Sequence, residues 1–295
     1  MLLLLFLLAA PSAAGALDVV AVKGSSLAPY EEALEGFRSA VPFTVREVPL
    51  VKPGDADIVR RIRRMKPDLV LAIGQSAIES LGAIEDIPLV YLMVLNLSPS
   101  LAKKENLSGV SLYLSPETCL TALARAVPEK KRIGVIYDEA KSSAFVEKVR
   151  HAAQARDLEI VARKAETPAD VMPLFTALRG KIDLLLLLPD TTVISPDTLK
   201  LLMHYSLQHA VPVVSFTSRH MDLGALMALD IDPFDMGAQA GDIAQRLLSA
   251  KSTPHIREEA RKGRPTLSLK IANKLCITFS GKIAEEASII DRIIE

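Results

Sequence analysis

Short apolar runs alternate with amphipathic stretches of helical length along most of this chain, and the alternation occurs twice. Eight runs rich in Val, Ile and Leu are predicted strands: 17–23, 43–50, 68–74, 88–95, 132–138, 159–165, 183–190 and 211–216. Helical patterns separate them, near 26–40, 55–65, 75–83, 117–127, 141–156, 168–179 and 195–209. Strands that are apolar on both faces and separated by helices are typical of parallel sheets covered on both sides. The sequence therefore predicts an α/β fold.

The pattern occurs once on each side of about residue 113, which predicts two lobes of similar build. Right-handed crossovers turn each half into its own doubly wound parallel sheet. A chain of 295 residues, 49% of them hydrophobic, is long enough to fill two cores. Towards the C-terminus we predict a helix from Pro233 to about 250, a charged loop over 251–264, a last strand near 266–271 and a terminal helix.

The first sixteen residues have the pattern of an export signal. Residues 2–10 form an apolar run that is too short to span a bilayer, which takes about twenty residues. Ala14-Gly15-Ala16 then supplies the small residues that signal peptidase requires, although no Lys or Arg precedes the apolar run. We expect cleavage after Ala16 and a soluble periplasmic protein, because no later segment is long and apolar enough to cross a membrane.

Charge and motif content argue against several classes of protein. Lys plus Arg and Asp plus Glu number 35 each, so we expect no nucleic-acid partner. The basic residues of 60–66 are expected on a solvated helix face, with a phosphate-binding patch as the alternative. The sequence has no phosphate-binding glycine loop, dinucleotide fingerprint, paired Cys or His at metal spacing, or Gly-x-Ser-x-Gly turn, so we expect no cofactor, no metal and no catalytic residue. Cys119 and Cys276 are expected to be free, buried thiols, with a disulfide bridge between them as the alternative.

Small polar residues follow the ends of the predicted strands in both halves of the chain. They occupy 24–26, 74–76, Asn96, Ser98, 137–138, 142–143, 190–192 and 215–218. In open parallel sheets, ligands bind outside the carboxyl ends of the strands, where helix N-termini also favour anions. Helix capping explains each residue taken alone, but their recurrence predicts a ligand site in a cleft between the lobes. His220 is a further candidate for the lining of that cleft.

Six motifs together resemble one known family. They occupy 133–137, 186–197, 211–216, 224–226, 237–241 and 269–275. In combination they are similar to the ABC-transporter substrate-binding family that includes tryptophan- and phenylalanine-type binders. The resemblance implies a type I periplasmic-binding-protein fold, in which three crossing strands near 109–113, 224–230 and 266–271 join two lobes. It divides the chain into a signal peptide (1–16), a first lobe (17–112 plus 229–266) and a second lobe (113–228 plus 267–295).

The resemblance also implies which residues contact the ligand. Together with Ser26 from the strand-end pattern, they are Gln75, Ser76, Asn96, Tyr137, Ser143, Asp190, Thr191, Phe216 and, near the hinge, Asp230. The chain departs from the family where Asn96-Leu97 stands for Asp-Pro, and where Ser268, Cys276 and Ser280 stand for Asn, Gly and Pro. An amide pairs with an ammonium group less strongly than a carboxylate does. The chain also has no Trp and only 4% aromatic residues, so we expect a ligand other than an aromatic amino acid.

The function that the resemblance implies is that of the solute-binding component of an ABC importer. Such a protein, expected to be a monomer, closes its lobes around a small polar, amino-acid-like metabolite and docks on a permease in the inner membrane. One alternative is a periplasmic sensor subunit of the same fold that signals to a membrane kinase or chemoreceptor. The other is a two-lobed α/β enzyme, such as a glycosyltransferase or a racemase, which requires an acid–base pair with perturbed pKa values in the cleft.

Overall fold

The computed structural model describes residues 17–52, 54–249, 255–285 and 287–290, and the predicted signal segment 1–16 lies outside them. In chain order the strands are β1 (Asp18–Lys23), β2 (Thr44–Glu47), β3 (Leu69–Ile73), β4 (Leu89–Val94), β5 (Leu107–Leu114), β6 (Arg132–Tyr137), β7 (Glu159–Lys164), β8 (Leu184–Leu186), β9 (Val213–Ser215), β10 (Met227–Ile231), β11 (Arg257–Ala260), β12 (Gly263–Ser268) and β13 (Ser288–Ile290). The α-helices are α1 (Ala28–Ala40), α2 (Ala56–Met65), α3 (Gln75–Ser80), α4 (Pro99–Ala102), α5 (Pro116–Ala126), α6 (Glu139–Gln154), α7 (Val171–Leu178), α8 (Pro196–His209), α9 (Pro233–Ser249), α10 (Leu269–Lys274) and α11 (Gly281–Ala284). Short 3-10 helices cover Pro168–Asp170 and Ser218–Leu223.

These strands form two sheets, each at the centre of one lobe. Lobe A contains the six-stranded sheet β11-β5-β4-β3-β1-β2, in which every neighbouring pair is parallel. Lobe B contains the seven-stranded sheet β13-β12-β10-β9-β8-β6-β7, which is parallel except for the antiparallel pair β10 and β12. The predicted fold class, an α/β protein with two parallel-sheet lobes, is confirmed.

Both faces of each sheet are buried, as continuous apolar strands require. In β3, all five residues are buried. Leu69, Leu71 and Ile73 belong to the core on one face of the sheet, whereas Val70 and Ala72 belong to the core on the other. Because successive side chains of a strand point to opposite faces, such a strand needs helices on both sides.

Helix α9 follows a strand of lobe B in the chain but packs on α1 of lobe A. The two helices approach backbone to backbone. A Cβ atom added to Gly36 would lie 1.9 Å from the carbonyl oxygen of Phe234, and one added to Gly237 would lie 1.8 Å from that of Ala33. Glycine is the residue that permits so close an approach. The glycine motif 237–241 therefore seats α9 against lobe A.

The chain passes between the lobes after β5, after β10 and between β11 and β12. Asp232 lies buried at the second passage, and its carboxylate pairs with Arg264 at 2.7 Å and with Lys262 at 3.1 Å, both next to the third passage. Burial acts to raise the pKa of Asp232, but the hydrogen bonds and charges of Arg264 and Lys262 and the backbone N–H of Asp235 outweigh it, so the pKa lies below its ordinary value. One carboxylate thus links two of the three passages.

The C-terminal part of the chain differs from the prediction. The segment 251–264, of which 251–254 lie outside the described residues, was expected to be a loop but contains β11 and the start of β12. The sequence of β11, Arg-Glu-Glu-Ala, has no apolar periodicity. This strand is held by parallel pairing with β5 and by ion pairs such as Arg246–Glu258 at 2.9 Å.

The predicted strand 266–271 is wrong in its second half. The hydroxyl of Ser268 accepts a hydrogen bond from the backbone N–H of Ile271 at 3.2 Å, and this cap starts α10 at Leu269. The third passage between lobes therefore lies at 261–262, before the predicted segment. The predicted terminal helix is also wrong, because a short α11 is followed by β13.

The strand predicted over the leucine-rich run is shorter than expected. Only the first three leucines of 184–188 pair as β8, although all five are buried.

The two cysteines are not bonded to each other. Burial raises the pKa of the Cys119 thiol to about 12. Cys276 was expected to be buried, and this is wrong: it is exposed and adopts a left-handed φ of 54° directly after α10 ends. A left-handed residue after a helix is most often glycine.

The basic residues of α2 lie on a solvent-facing, ion-paired surface. Arg60 pairs with Asp57 at 2.8 Å, and Arg63 pairs with Asp86 at 3.1 Å. Because neighbouring carboxylates neutralise these guanidinium groups, the geometry supports a solvated helix face rather than a phosphate-binding patch.

The close contact between α1 and α9 predicts that replacing a glycine of α9 with alanine destabilises the protein, although the same change usually stabilises a helix. Gly237→Ala should lower the free energy of unfolding by about 1–3 kcal/mol, the usual cost of overpacking, although alanine is ordinarily a better helix former than glycine by roughly 1 kcal/mol. Gly281→Ala is the control, because a Cβ atom there meets no other atom within 4 Å. Urea denaturation followed by circular dichroism measures both variants, and equal effects would contradict the close approach.

The environment of Asp232 predicts part of the acid sensitivity of the fold. A carboxyl whose folded pKa is lowered stabilises the protein above its ordinary pKa of 3.8 and loses that contribution as the pH falls below it. Asp232→Asn should therefore lose less unfolding free energy than the wild type between pH 7 and pH 3. Urea titrations at several pH values measure this difference, and parallel declines would contradict the assignment.

Candidate functional site

Six polar residues gather where the strands of lobe B end and α6 begins, and we call them the Asp190 cluster. Its members are Asp138, Lys141, Ser142, Asp190, Thr191 and Thr192. The carboxylate of Asp138 caps α6 by accepting a hydrogen bond from the backbone N–H of Ala140 at 2.9 Å. The cluster joins the polar segments that follow β6 and β8, which are neighbours in the sheet.

At the centre of the cluster is the carboxylate of Asp190, which is only 1% exposed. Its Oδ2 atom accepts hydrogen bonds from the hydroxyl of Ser142 at 2.7 Å and from the backbone N–H of Asp138 at 2.8 Å. Its Oδ1 atom accepts from the backbone N–H of Thr192 at 3.0 Å. A buried charge is tolerated only when it is hydrogen-bonded, so these three donors fix the segment after β8 to the start of α6.

Lys141 and Thr191 form the solvent-facing side of the cluster. The Lys141 ammonium donates to the hydroxyls of Thr191 at 2.8 Å and Thr192 at 2.7 Å. The Thr192 hydroxyl in turn donates to Asp138 at 2.6 Å. This hydrogen bond, helped by the backbone N–H of Ala140 and by Lys141, lowers the pKa of Asp138. The exposed side of the cluster therefore presents a cation and an ionised carboxylate side by side.

The facing edge of lobe A contains Gln75 and Ser76 at the start of α3. Gln75 donates through Nε2 to the carboxylate of Glu79 at 2.7 Å, which leaves its side-chain oxygen available. Ser76 donates to the carbonyl oxygen of Gly24 at 3.3 Å, which fixes α3 to the end of β1. Gly74, just before α3, has a φ of 97° and lies against the ring of Tyr30.

The segment that carries Asn96 is shaped by an irregularity in β4. Pairing of β4 with β5 shifts register between Tyr91 and Val94, and Met93 adopts a left-handed φ of 58°. Bulges bend a strand, and strained backbone of this kind is common beside functional sites. Beyond the bulge, Asn96 is exposed and lies close to the hydroxyl of Tyr113.

Tyr113, near the end of β5, connects the edges of the two lobes. Its ring stacks on Phe145 of α6, with centroids 4.4 Å apart and an interplanar angle of 28°. Burial raises the pKa of the Tyr113 hydroxyl; the Asp190 carboxylate adds to this shift, and the nearby side chains of Ser142 and Asn96 oppose it. Within the described residues this buried hydroxyl has no hydrogen-bond partner of normal geometry.

A second polar group follows β9 in lobe B. Both carboxylate oxygens of Asp230 accept from the backbone N–H of Ser218, at 3.1 and 2.9 Å. His220 Nδ1 is 2.7 Å from the hydroxyl of Ser215, and its ring meets the edge of Phe216 with centroids 5.2 Å apart. Burial lowers the pKa of His220, while the Asp230 carboxylate opposes that shift. His220 is therefore neutral at pH 7.

The structure distributes the ten predicted contact residues among separate groups. Tyr137, Ser143, Asp190 and Thr191 lie in or beside the Asp190 cluster; Phe216 and Asp230 surround His220; Gln75, Ser76 and Asn96 belong to lobe A; and Ser26 is exposed on the loop before α1. No hydrogen bond in the described ranges joins Gln75 or Ser76 to the Asp190 cluster.

Five residues of this region were not among the predicted contacts: Asp138, Lys141, Ser142, Thr192 and Tyr113. Ser143 was predicted as a ligand contact instead of its neighbour Ser142. Ser142 is buried and bonds to Asp190, whereas Ser143 is half-buried. Helical periodicity contained the signal, because Ser142 shares a face of α6 with the buried Val146 and Val149.

A hollow of about 550 Å³ lies at the opposite edge of lobe A. Its lining includes Glu85, Asp86, Pro88, Lys103 and Asn106, beside the amino ends of β4 and β5. It is therefore separate from the candidate site.

In the part of the chain that the structure describes, no three His, Cys, Asp or Glu side chains come together in a way that could hold a metal ion. The helices of the same residues do not include one with both the length and the apolar character needed to cross a membrane.

A family described as ABC transporter substrate binding protein matches residues 53–290 of this chain. A curated relative, a tyrosine-binding protein of Clostridioides difficile (strain R20291), is 30% identical over 213 residues. The matched region is 69% of this chain and 61% of that protein, so the chain spans less than two thirds of the length of the curated relative.

Solved structures share the fold. The ligand-free, open structure of a substrate binding protein with adhesive properties from Clostridium difficile matches with a TM-score of 0.68 and 21% identity, over 92% of this chain and 98% of that one. An ABC domain from Streptococcus pneumonia in complex with L-Trp matches with a TM-score of 0.58 and 19% identity, over 94% and 100% of the two chains.

The hydrogen bonds of Asp190 predict a large effect on stability. Asp190→Ala leaves two buried N–H groups and the Ser142 hydroxyl without their acceptor, and should lower the free energy of unfolding by about 2–4 kcal/mol. Asp222→Ala, at an exposed carboxylate of lobe B, is the control. Urea denaturation of both variants tests this, and wild-type stability in Asp190→Ala would refute the central position of that carboxylate.

Proposed function

The chain belongs to the family of ABC transporter substrate-binding proteins, and we propose from this premise that it binds an amino acid between its two lobes for delivery to a permease. The observation that carries the proposal is the arrangement of hydrogen-bonding groups at the carboxyl ends of both sheets. Lobe B contributes the Asp190 cluster, and lobe A contributes Gln75, Ser76 and Asn96. Ligands of open parallel sheets bind outside these strand ends.

The chemistry of the two edges suits a zwitterion. Asp190 and Asp138 supply negative charge that attracts an ammonium group, while Lys141 supplies a cation for a carboxylate. The free carbonyl oxygen of Gln75 adds an acceptor on the facing lobe. An α-amino acid carries both charges within a few ångströms, and the ammonium of Lys141 lies 3.7 Å from the carboxylate of Asp138.

Aromatic amino acids belong among the ligands to be tested. The curated relative is named a tyrosine-binding protein, and one solved structure of the same fold holds L-Trp. The low aromatic content argues against such a ligand, but five of the aromatic side chains are located at or beside the candidate site. They are Tyr30, Tyr113, Tyr137, Phe145 and Phe216. The few aromatic side chains are thus concentrated at the candidate site, which weakens the argument from composition against an aromatic ligand.

Closure of the lobes is the mechanism that we propose. A ligand held by groups from both lobes makes all of its contacts only when the cleft is shut, so it shifts the equilibrium towards the closed state. The three passages of the chain between the lobes would act as the hinge, so in this proposal the predicted boundaries near 112, 228 and 266 move to the ends of β5 and β10 and to 261–262. The permease would recognise the surface formed on closure.

Export across the inner membrane completes the proposal. The apolar run and small residues of 1–16 support a cleaved signal peptide and a periplasmic location. There the protein would act as a monomer without a cofactor or metal ion, and its macromolecular partner would be the permease.

Affinity measurements test the proposed function. In a thermal-shift screen of the twenty L-amino acids, at least one should raise the unfolding temperature saturably, and calorimetry should then give a stoichiometry of one without product formation. Gln75→Ala should weaken that binding by about 1–3 kcal/mol, the scale of one lost polar partner. Lys103→Ala, at the far edge of lobe A, is the control.

Three results would contradict the proposal. The first is that no amino acid raises the unfolding temperature. The second is that the bound compound is turned over. The third is that wild type and Gln75→Ala bind the amino acid with equal affinity. The second of these would favour a two-lobed enzyme.

A further inference from the structure

Tyr113 has a buried hydroxyl that the protein leaves without a normal hydrogen bond. The residue is 7% exposed, and its hydroxyl oxygen has no partner among the described residues. A buried polar group left unpaired costs about 1–3 kcal/mol, and native structures keep few of them. A hydroxyl of this kind beside a candidate binding site points to a partner that arrives from outside the chain.

Packing prevents this hydroxyl from turning away. The ring belongs to a strand of lobe A but stacks at 4.4 Å on Phe145, which belongs to α6 of lobe B. Because β5 holds one side of Tyr113 and Phe145 holds its ring, the hydroxyl position is set by both lobes. It lies at the first passage of the chain between them, close to the point about which closure would occur.

The polar neighbours of the hydroxyl also come from both lobes. Asn96 approaches from lobe A, Ser142 approaches from lobe B, and the carboxylate of Asp190 lies behind Ser142. The Ser142 hydroxyl gives its proton to Asp190 at 2.7 Å, so its oxygen can only accept a further hydrogen bond.

We propose that the Tyr113 hydroxyl accepts a hydrogen bond from the ammonium group of the bound amino acid while directing its own proton to the oxygen of Ser142. The chain of donors then runs from the ligand through Tyr113 and Ser142 to Asp190. In each of these three hydrogen bonds one group donates a proton and the next accepts it through an oxygen lone pair. This inference rests on the proposed function, and it assigns the orientation of the ligand within the site.

The charge of Asp190 decides which end of the ligand faces Tyr113. A carboxylate placed here would be repelled by Asp190, whereas an ammonium group is attracted through the two hydroxyls. The ligand carboxylate would then lie towards Lys141, whose ammonium is on the solvent-facing side of the cluster. Tyr113 would thus discriminate amino acids from acids of the same shape that lack the amine.

Tyr113→Phe is the test variant, because it removes the hydroxyl and keeps the stacked ring. Tyr205→Phe is the matched control. The Tyr205 hydroxyl is also buried without a partner in the described structure, but its ring packs against Phe175 and His209, away from the site. Neither variant should lower the urea midpoint of the ligand-free protein, since neither hydroxyl has a hydrogen bond among the described residues before ligand binds. A clear loss of stability in Tyr113→Phe alone would mean that the hydroxyl already has a protein partner, and would overturn the proposal.

Calorimetry with the best L-amino acid of the screen gives the first readout. We expect Tyr113→Phe to weaken binding about tenfold, the scale of one hydrogen bond to a charged group, and Tyr205→Phe to leave it unchanged. Equal affinity of wild type and Tyr113→Phe overturns the inference but leaves the proposed function intact. If the wild type binds no amino acid, the proposed function itself has failed.

The des-amino analogue of the same amino acid gives the second readout. Failure of the wild type to bind this analogue, or equal binding by wild type and Tyr113→Phe, supports contact between Tyr113 and the ammonium group. A tenfold penalty that persists with the analogue would show that Tyr113 contacts a different part of the ligand, and would overturn the assignment.

Discussion

The buried carboxylate of Asp190 is the interaction on which the edge of lobe B depends. A charge that is 1% exposed requires donors, and it obtains three of them from two segments that are about fifty residues apart in the sequence. Satisfying that charge brings the segment after β8 against the first turn of α6. The positions of Thr191, Thr192 and Lys141 follow from this contact, because their hydrogen bonds are made to the segments that Asp190 joins.

The two edges of the candidate site differ in how firmly they are built. In lobe B, the donors and acceptors of the Asp190 cluster are bonded to one another, so that half is preformed. In lobe A, Gln75 is held only by a neighbour on its own helix and Asn96 is exposed. Tyr113 bridges the two edges through its stack on Phe145, and its hydroxyl has no hydrogen-bond partner among the residues that the structure describes. The edge of lobe B is therefore preorganised for a ligand, whereas the side chains of lobe A can adjust to it. This combination suits a cleft that closes when its ligand binds.

Much of the fold could be predicted from the sequence because its parallel strands are buried on both faces, and burial leaves a continuous apolar signal. Where other forces hold an element, that signal is absent. Strand β11 consists of charged residues that pair with Arg246 and other neighbours, so it was mistaken for a loop. The start of α10 is set by a single serine cap within an apolar segment, and periodicity alone placed a strand there.

The candidate site was predictable in part for the same reason. Polar residues at strand ends predicted where hydrogen-bonded side chains gather in each lobe, and Asp190 was predicted as a ligand contact. Its three internal donors, however, indicate that it positions its neighbours. Tyr113 could not be found from sequence spacing, because its ring partner comes from the other lobe and its unpaired hydroxyl is a property of packing.

Small-angle X-ray scattering with and without the best-binding amino acid tests most directly whether a ligand is held between two moving lobes. Closure predicts a smaller radius of gyration at saturating ligand, with half of the change at the concentration that calorimetry gives as the dissociation constant. Identical scattering curves in the presence of stoichiometric binding would mean that the ligand sits on one rigid body, and would contradict this account.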